Sequence, residues 1–303
     1  MDATLSLISP AKLNLFLHIN GIRNEAQTHS GYHELQTLFQ ILDRGDKMQF
    51  TSLTHSPDIE LSSNLDGIKK EDNLIYRAAK LLQKKSGTHL GGKICIQKNL
   101  PLGGGLGGGS SNAATTLLAF NYLWSLNYSQ DELSNLGAYL GADIPVFVKG
   151  YSAIGEGIGD ELSSVKLEES WYLILTPNCH VNTTEIFSHE GLTRDTPKQR
   201  IAPALEGGNS KHFLNNCVKN DCETLVTSLY PEIDEAIKWL NQFGQGRLTG
   251  TGACCFSRFD SEAEAQQVLN EAQFKFKGFI AKGVNLSPAI KKLNEAKGFA
   301  TDQ

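Results

Sequence analysis

The chain has 303 residues, of which 40% are hydrophobic, so it is long enough to form one large domain or two. Its formal net charge of −5 gives no general attraction to nucleic acid or to an anionic membrane, and we expect neither as a partner. The amino terminus lacks the basic start of a secretory signal, and no apolar run approaches the roughly 20 residues of a membrane helix. Six cysteines without a CxxC pair favour a reduced, cytoplasmic protein.

The first hundred residues predict two strands, a helix and a third strand. Alternating apolar residues indicate strands around Leu13–Ile19 and Leu35–Ile41, separated by a polar loop. The segment NLIYRAAKLLQKKSG then carries an apolar stripe at helical spacing, with Asp72 as a candidate N-cap and Gly87 as a stop. KICIQK alternates again, which predicts a strand that leads into a run of glycines.

That run, PLGGGLGGGSSNAA at Pro101–Ala114, places six glycines within seven positions ahead of Ser110, Ser111 and Asn112. Glycines let the backbone approach a ligand closely, and a helix start offers free N–H groups and a positive dipole end. We therefore predict a phosphate-binding loop that runs into a helix, with the serines as N-caps or as contacts to phosphate or magnesium. No P-loop lysine follows the glycines, and a formal GxGxxG match carries little weight in so glycine-rich a run.

The rest of the chain mixes predicted helices and strands. SQDE at Ser129–Glu132 predicts a capping box for a helix through about Leu140, after which GADIPVFVKG is expected to become extended. WYLILTP then predicts the first strand of a second unit, followed by helices around Asp221–Phe243, a strand, glycine turn and strand in RLTGTGACCFSRF, a helix in SEAEAQQVLNEAQ and a strand in FKGFIAKGV. Without regular βαβ alternation this order predicts an α+β fold, and we place two domains at 1–163 and 164–303.

Three segments in order carry a family resemblance: PAKLNLFLHIN at Pro10–Asn20, the glycine run, and LTGTGACC at Leu248–Cys255. Together they resemble the motifs of the GHMP kinase superfamily. The resemblance implies an ATP-dependent small-molecule kinase that takes magnesium with its nucleotide. It also implies an N-terminal domain like ribosomal protein S5 domain 2, a ferredoxin-like C-terminal domain and a site in the cleft between them.

Further segments narrow the resemblance. GYHELQTLFQ and LGADIPVF are similar to GHMP kinases that phosphorylate the 2-hydroxyl of a cytidyl diphosphate sugar alcohol, in the non-mevalonate route to isoprenoid precursors. We expect a monomer or a weak homodimer with this small molecule as its partner. The resemblance assigns nucleotide binding to the residues of the glycine run, namely Pro101, Gly103, Gly104, Gly105, Leu106, Gly107, Gly108, Gly109, Ser110 and Ser111.

The resemblance also implies a catalytic pair. Alone, Lys12 would be an ordinary surface lysine and Asp143 a turn or cap residue. Matched to the family motifs, Asp143 becomes the base for the substrate hydroxyl, and Lys12 keeps it ionised and offsets charge on the transferring phosphoryl group. Asn14, two residues on in the same strand, is predicted to face the same side and help to fix the substrate. The sequence offers no carboxylate cluster, so no metal ligand is predicted.

Cytosine recognition should use aromatic stacking and a few hydrogen bonds to the base edge. Tyr32 and His33 in GYHEL, and Phe187 in TTEIF, match family positions that do this, and Thr184 is a weaker candidate. Without the resemblance, Tyr32 would be a strand-edge aromatic and Phe187 a core residue. The loop before GYHEL is longer than usual in these kinases, and Cys255 stands where an apolar residue is expected.

Three other functions are compatible with parts of the sequence. A GHMP kinase for a different alcohol would keep Asp143 and the glycine run without needing the aromatics. A dinucleotide-dependent oxidoreductase would need a parallel βαβ sheet and a later acidic residue, where the chain instead has Asn127–Asp131 between two predicted helices. A non-catalytic binding module would have no use for Lys12 and Asp143.

Overall fold

A computed structural model describes residues 2–24, 30–63, 69–201, 213, 214 and 218–298. Residues 25–29, in the long loop before GYHEL, and Cys217 lie outside the described residues. None of the helices in the described part is long and apolar enough to cross a membrane. The five cysteines that are described are all free thiols.

The N-terminal half is built on two long antiparallel strands, and these extend well beyond the predicted segments. Because β1 already begins at Thr4, Lys12 lies inside the strand instead of ahead of it. The elements of this half are β1 (Thr4–Ile22), β2 (His33–Leu53), β3 (Ile59–Ser63), α1 (Leu74–Ser86), β4 (Gly91–Gln97), α2 (Gly108–Leu123), α3 (Gln130–Ala138), α4 (Ile144–Lys149), β5 (Ala153–Glu156) and β6 (Glu161–Ser164).

The C-terminal half has the chain order and sheet order of a ferredoxin-like domain. Its sheet runs β10-β7-β9-β8 with antiparallel neighbours, which is the order 4-1-3-2 of a βαββαβ unit. Its elements are β7 (Trp171–Leu175), α5 (Thr183–Ser188), α6 (Glu223–Leu229), α7 (Pro231–Leu240), β8 (Arg247–Leu248), β9 (Cys255–Phe259), α8 (Glu262–Ala272), β10 (Gly278–Val284) and α9 (Pro288–Ala296). The α+β prediction is therefore confirmed, whereas the boundary between 163 and 164 stays a prediction.

The two halves share one sheet. Strand β10 pairs with β2 through Gly283 and Leu42, so the C-terminal sheet continues into the N-terminal one. Strand β1 contributes buried residues to each of the three apolar clusters formed by the described residues: Leu7 to the first, Leu13 to the central one and Ile19 to the C-terminal one. A side chain on β1 is therefore held by packing along the whole strand.

The predicted C-terminal end of α1 and the predicted N-terminal cap of α3 are confirmed. Gly87 ends α1 with φ of +68°, a conformation that favours glycine, and Ser129 forms the predicted capping box with Glu132 at α3. The N-cap of α1 was placed one residue early, because Asn73, not Asp72, accepts the N–H of Ile75. Asp72 is instead the last residue of a short 3-10 helix, Lys70–Asp72.

Two predictions around the site were wrong. GADIPVFVKG does not become extended but forms α4, whose first turn contains Pro145, a residue suited to the start of a helix. Helix α2 begins at Gly108 with Gly107 as its N-cap, so Ser110 and Ser111 lie within the first turn and are not caps.

Candidate active site

A cleft of about 1060 Å³ is lined by residues of both halves. It brings together nearly all the predicted site residues, although they come from five separate segments of the chain. Those that line it are Lys12, Asn14, Tyr32, His33, Pro101, Gly103, Gly104, Gly105, Leu106, Gly107, Gly108, Gly109, Ser110, Asp143, Thr184 and Phe187. Among the lining residues that were not predicted, Lys98 and Arg194 are charged.

Lys12 and Asp143 meet in this cleft, with 3.9 Å between Lys12 Nζ and Asp143 Oδ2. The lysine side chain is only 4% exposed and the aspartate side chain 41% exposed, so the carboxylate reaches solvent while the ammonium does not. Burial lowers the pKa of Lys12, and the neighbouring Asp143 opposes this shift by favouring the charged form. Although Asp143 is the N-cap residue of α4, its side chain makes no capping hydrogen bond. Its carboxylate is therefore not committed to the helix.

Asn14 faces the same side of β1 as Lys12, as the strand spacing predicted. Lys12 Nζ donates to Asn14 Oδ1 and, at 2.9 Å, to the carbonyl of Gly105. Asn14 Nδ2 in turn donates to Thr37 Oγ1 at 2.8 Å. A register shift between β1 and β2 follows Asn14, and beyond it Leu17 lines the cleft. Such a bulge changes which side chains face a site, so the strand presents Lys12, Asn14 and then Leu17 to one cavity.

The three sequence motifs are joined to one another by hydrogen bonds. The N–H of Asn14 donates to Thr249 Oγ1 at 3.0 Å, and Thr249 Oγ1 lies 3.4 Å from the carbonyl of Gly105. The N–H of Lys12 donates to the carbonyl of Leu106 at 3.1 Å. Sequence motifs more than 90 residues apart therefore position one another.

The glycine run packs against the third motif, a contact that the sequence did not reveal. The N–H groups of Ala253 and Cys254 donate to the carbonyls of Gly103 and Gly104 at 3.3 and 3.2 Å. Gly105 has φ of +73°, and a Cβ there would lie 2.1 Å from the carbonyl oxygen of Thr249. Glycine is thus required at this position by the protein's own backbone.

The start of α2 faces the cleft without a side-chain cap. The first N–H groups of an α-helix have no partner within the helix, so those of Gly108, Gly109 and Ser110 are available to an anion. Ser111 differs from its neighbour Ser110: its side chain is fully buried and accepts a hydrogen bond from Ser9 Oγ at 2.8 Å. Because Ser111 does not line the cleft, its position supports a buried contact with Ser9 and neither the N-cap nor the phosphate contact.

Lys98 supplies a second buried cation that sequence reasoning missed. It pairs with Asp46, which is fully buried, and donates to Asn112 Oδ1 at 2.9 Å. The N–H groups of Asn99 and Leu100 also donate to this carboxylate, at 2.8 and 2.9 Å. A Cβ on Gly108 would lie 3.4 Å from Lys98 Nζ, so the ammonium lies close to the start of α2. The signal available in the sequence is a lysine five residues before the first glycine, whereas a P-loop lysine follows the glycines.

The other end of the cleft is aromatic. The rings of His33 and Phe187 lie 4.9 Å apart between centroids, and Tyr32, which is 54% exposed, lines the cleft beside them. Burial lowers the pKa of His33, and the charge of the adjacent Arg194 lowers it further. Thr184 is the second residue of α5, and its N–H donates to the side chain of the N-cap Asn182 at 3.0 Å.

Few side chains in the cleft suit a metal ion. Among the residues that the structure describes, no three His, Cys, Asp or Glu side chains form a group that could hold one. The Asp143 carboxylate and the Ser110 hydroxyl are oxygen donors among the cleft residues. Such a sparse donor set suits a cation that is held chiefly by a ligand's phosphates and by water.

The chain matches two family models, "GHMP kinases N terminal domain" over residues 73–151 and "GHMP kinases C terminal" over residues 201–278. It is 52% identical over 298 residues to the 4-diphosphocytidyl-2-C-methyl-D-erythritol kinase of Marinobacter nauticus, covering 98% of this chain and all of that protein. The enzyme of the same name from Hahella chejuensis is 52% identical over 302 residues, covering 97% and 98%.

Solved structures of GHMP kinases are also similar to this chain. A crystal structure of a 4-(cytidine 5'-diphospho)-2C-methyl-D-erythritol kinase superimposes with a TM-score of 0.76 at 26% identity, covering 92% of this chain and 100% of that one. L. major mevalonate kinase, solved with R-mevalonate, superimposes with a TM-score of 0.68 at 13% identity, covering 95% and 97%. The second likeness supports the fold alone.

Proposed function

The chain belongs to the 4-diphosphocytidyl-2-C-methyl-D-erythritol kinases of the GHMP kinase superfamily, and from this premise we propose the reaction and the roles of its residues. It is an ATP-dependent kinase that transfers the γ-phosphoryl group to the 2-hydroxyl of 4-diphosphocytidyl-2-C-methyl-D-erythritol, in the non-mevalonate route to isoprenoid precursors. The observation that carries the residue roles is that one cleft holds the Lys12–Asp143 pair at one end and the His33–Phe187 pair at the other.

Asp143 is the residue that we assign to the substrate hydroxyl. In the reaction the hydroxyl oxygen bonds to the γ-phosphorus, the bond from that phosphorus to the bridging oxygen of ADP breaks, and the hydroxyl proton moves to the carboxylate. Since the Asp143 side chain is 41% exposed, it can pass the proton on to water. Lys12, held by Asn14 and Gly105, keeps this carboxylate ionised and offsets charge on the transferring group.

The glycine run and α2 are assigned to the nucleotide. The uncapped first turn of α2 offers backbone N–H groups and a positive dipole end to phosphate oxygens. Lys98 adds a cation beside the same turn, held in place by Asp46 and Asn112. Magnesium, which we propose enters with ATP, neutralises phosphate charge, and Asp143 and Ser110 are the side chains that fit it.

The aromatic end is assigned to the cytosine base. Tyr32 and Phe187 offer faces for stacking, and His33 offers hydrogen bonding at the base edge. Asn14 and Thr184 are assigned to the part of the substrate between base and reacting hydroxyl, because both line the cleft. We also propose a cytoplasmic location, which suits the exposed free thiol of Cys95. A monomer or weak homodimer stays a prediction.

The test is a substrate comparison with the purified full chain, ATP and magnesium. We expect ADP release with 4-diphosphocytidyl-2-C-methyl-D-erythritol, and a new phosphomonoester on its 2-oxygen by phosphorus NMR. Mevalonate and homoserine, which other GHMP kinases phosphorylate, should give no ADP above background. Turnover of either alcohol in place of the cytidyl substrate would overturn the proposal.

A further inference from the structure

The side chain of Arg194 is fixed against His33. Its Nε donates to His33 Nε2 at 3.1 Å. Its two terminal nitrogens donate to the backbone carbonyls of Leu192, at 3.1 Å, and of Phe187 and His189, at 2.8 Å each. Three carbonyls therefore hold the guanidinium in place and direct its Nε–H at one atom of the imidazole.

The chemistry of this contact determines where the imidazole proton lies. A guanidinium stays protonated and has no acceptor, so the atom that it contacts must offer a lone pair. His33 Nε2 is consequently unprotonated, and the single proton of a neutral imidazole must be on Nδ1. A doubly protonated ring would place an N–H against the N–H of Arg194, and it is disfavoured.

The other groups around His33 do not compete with this contact. Phe187 packs its ring on the imidazole at 4.9 Å, which limits rotation. The nearest carboxylate along β2, on Glu34, is paired with Arg23 Nε at 2.7 Å. In the turn that carries Arg194, His189 Nδ1 already accepts the N–H of Gly191 at 3.0 Å. Among the residues that the structure describes, Arg194 is thus the charged group that acts on this ring.

We propose that Arg194 is a positioning residue for substrate selection: it holds His33 as the neutral Nδ1–H tautomer, so that the imidazole offers a hydrogen-bond donor to the base. This deepens the proposed function and rests on it, since the ligand is the cytidine base. Cytosine has two acceptors on its pairing edge, the ring nitrogen N3 and the carbonyl O2, and either can receive the Nδ1–H. Without Arg194, the ring can carry its proton on Nε2 and present a lone pair where a donor is needed.

The first test needs no substrate, so its result is independent of the proposed function. The full chain is labelled with ¹⁵N-histidine, and two-bond proton–nitrogen NMR spectra report which nitrogen of each ring carries the proton. The His33 signals are identified by their loss in His33→Gln. We expect protonated Nδ1 and unprotonated Nε2 in the wild type, and loss of this tautomer in Arg194→Met. A wild-type His33 protonated on Nε2 would overturn the proposal.

The second test separates positioning from folding. In Arg194→Met the KM for the cytidyl substrate should rise about tenfold, the cost of about 1.4 kcal/mol for one misdirected hydrogen bond, while kcat and the KM for ATP change less than about twofold. Arg194→Lys, which keeps a charged donor, should recover part of the loss. Arg258→Met is the matched control, because Arg258 is a half-buried arginine paired with Glu168 outside this cleft. A raised KM in Arg194→Met with the wild-type tautomer retained would refute the proposal.

Discussion

The two ends of the cleft are built in different ways. At the Lys12–Asp143 end, the lysine side chain is 4% exposed. Its ammonium is held by Asn14 on the same strand and by Gly105, 93 residues later in the chain. At the aromatic end, Tyr32 is 54% exposed and reaches solvent. Charge stabilisation during phosphoryl transfer gains from excluded water and fixed groups, whereas base binding needs an open entrance.

The contacts that support the two ends join both halves of the chain, but through different elements. Gly105 is tied to Thr249 and Leu106 to Lys12, so the reacting end depends on packing between the two halves. The aromatic end depends on contacts among β2, α5 and the segment just after α5. Substitutions at the first end should therefore alter kcat or folding, and substitutions at the second should alter KM.

The largest expected effect is at Asp143. In Asp143→Asn the side chain keeps its shape but loses its charge and its capacity to take a proton. We expect kcat to fall about 10²- to 10⁴-fold, equivalent to about 3–5 kcal/mol of activation free energy. The dissociation constant for ATP without magnesium, measured by calorimetry, should change less than about threefold.

The matched control is Asp131→Asn, since Asp131 is a 79% exposed carboxylate that pairs with Lys149 at the end of α4. An exposed ion pair contributes little, so kcat should stay within about twofold of wild type. If Asp143→Asn also kept kcat within tenfold of wild type, the assignment of Asp143 to the hydroxyl would be wrong.

The second effect is on stability, at Gly105. Gly105→Ala adds a Cβ to a backbone at φ +73° and places it 2.1 Å from the carbonyl oxygen of Thr249. The left-handed conformation alone costs about 1–2 kcal/mol for alanine, and relief of the clash requires the two motifs to separate. We expect the free energy of unfolding, from denaturant titration, to fall by about 3 kcal/mol or more.

Gly109→Ala is the control within the same run. Gly109 lies in α2 without a positive φ, and a Cβ there would meet only the Leu74 side chain at 3.7 Å, an ordinary contact. Alanine favours helix over glycine by up to about 1 kcal/mol, so stability should stay equal or rise slightly. Equal losses in Gly105→Ala and Gly109→Ala would mean that the contact with Thr249 does not set the requirement for glycine.

The third effect is on substrate affinity, at Phe187. In Phe187→Ala the ring that packs on His33 is lost, and we expect the KM for the cytidyl substrate to rise about 10- to 30-fold with kcat nearly unchanged. Phe276→Ala is the control, because Phe276 packs on the same apolar cluster against Trp239 but does not line the cleft. An equal rise in KM for both variants would make Phe187 a core residue only.

The sequence predicted what depends on neighbours along the chain. The capping box at Ser129 and the stop at Gly87 are local patterns, and both are present. The family resemblance implied that Lys12 and Asp143 form a catalytic pair, and in the structure Lys12 Nζ lies 3.9 Å from Asp143 Oδ2. The prediction of an extended segment after Asp143 was wrong because so short a run of apolar residues fits either a strand or a buried helix. The signal that favours the helix is Pro145, a residue suited to the first turn.

Contacts between distant segments could not be predicted from the sequence. Gly105 was assigned to a ligand, although its closest constraint is Thr249. Lys98 and Asp46 are 52 residues apart, and no spacing rule connects them. Arg194 was missed for the same reason: its partner His33 lies 161 residues earlier in the chain. Single-sequence patterns report periodicity and caps, not pairing at such separations.

The smallest expected effect is on the pH dependence of KM. Burial and Arg194 both lower the pKa of His33, so the neutral ring persists to lower pH than for an ordinary histidine. Between pH 8 and pH 6 the wild-type KM for the cytidyl substrate should therefore change less than about twofold. Arg194→Met removes the repelling charge and the bond to the neutral form, which raises the pKa of His33 above that of the wild type, although burial still lowers it. A larger fraction of the variant's rings is therefore protonated at pH 6 than at pH 8.

A doubly protonated ring carries Nδ1–H whichever tautomer the neutral ring adopts, so protonation restores the donor that the base needs. The KM of Arg194→Met should therefore fall between pH 8 and pH 6 and offset part of its tenfold rise at pH 8. Steady-state rates at saturating ATP measure both profiles, and Arg258→Met serves as the control with the wild-type profile. Parallel pH profiles for the wild type and Arg194→Met would mean that Arg194 does not control the ionisation of His33, even if it orients the ring.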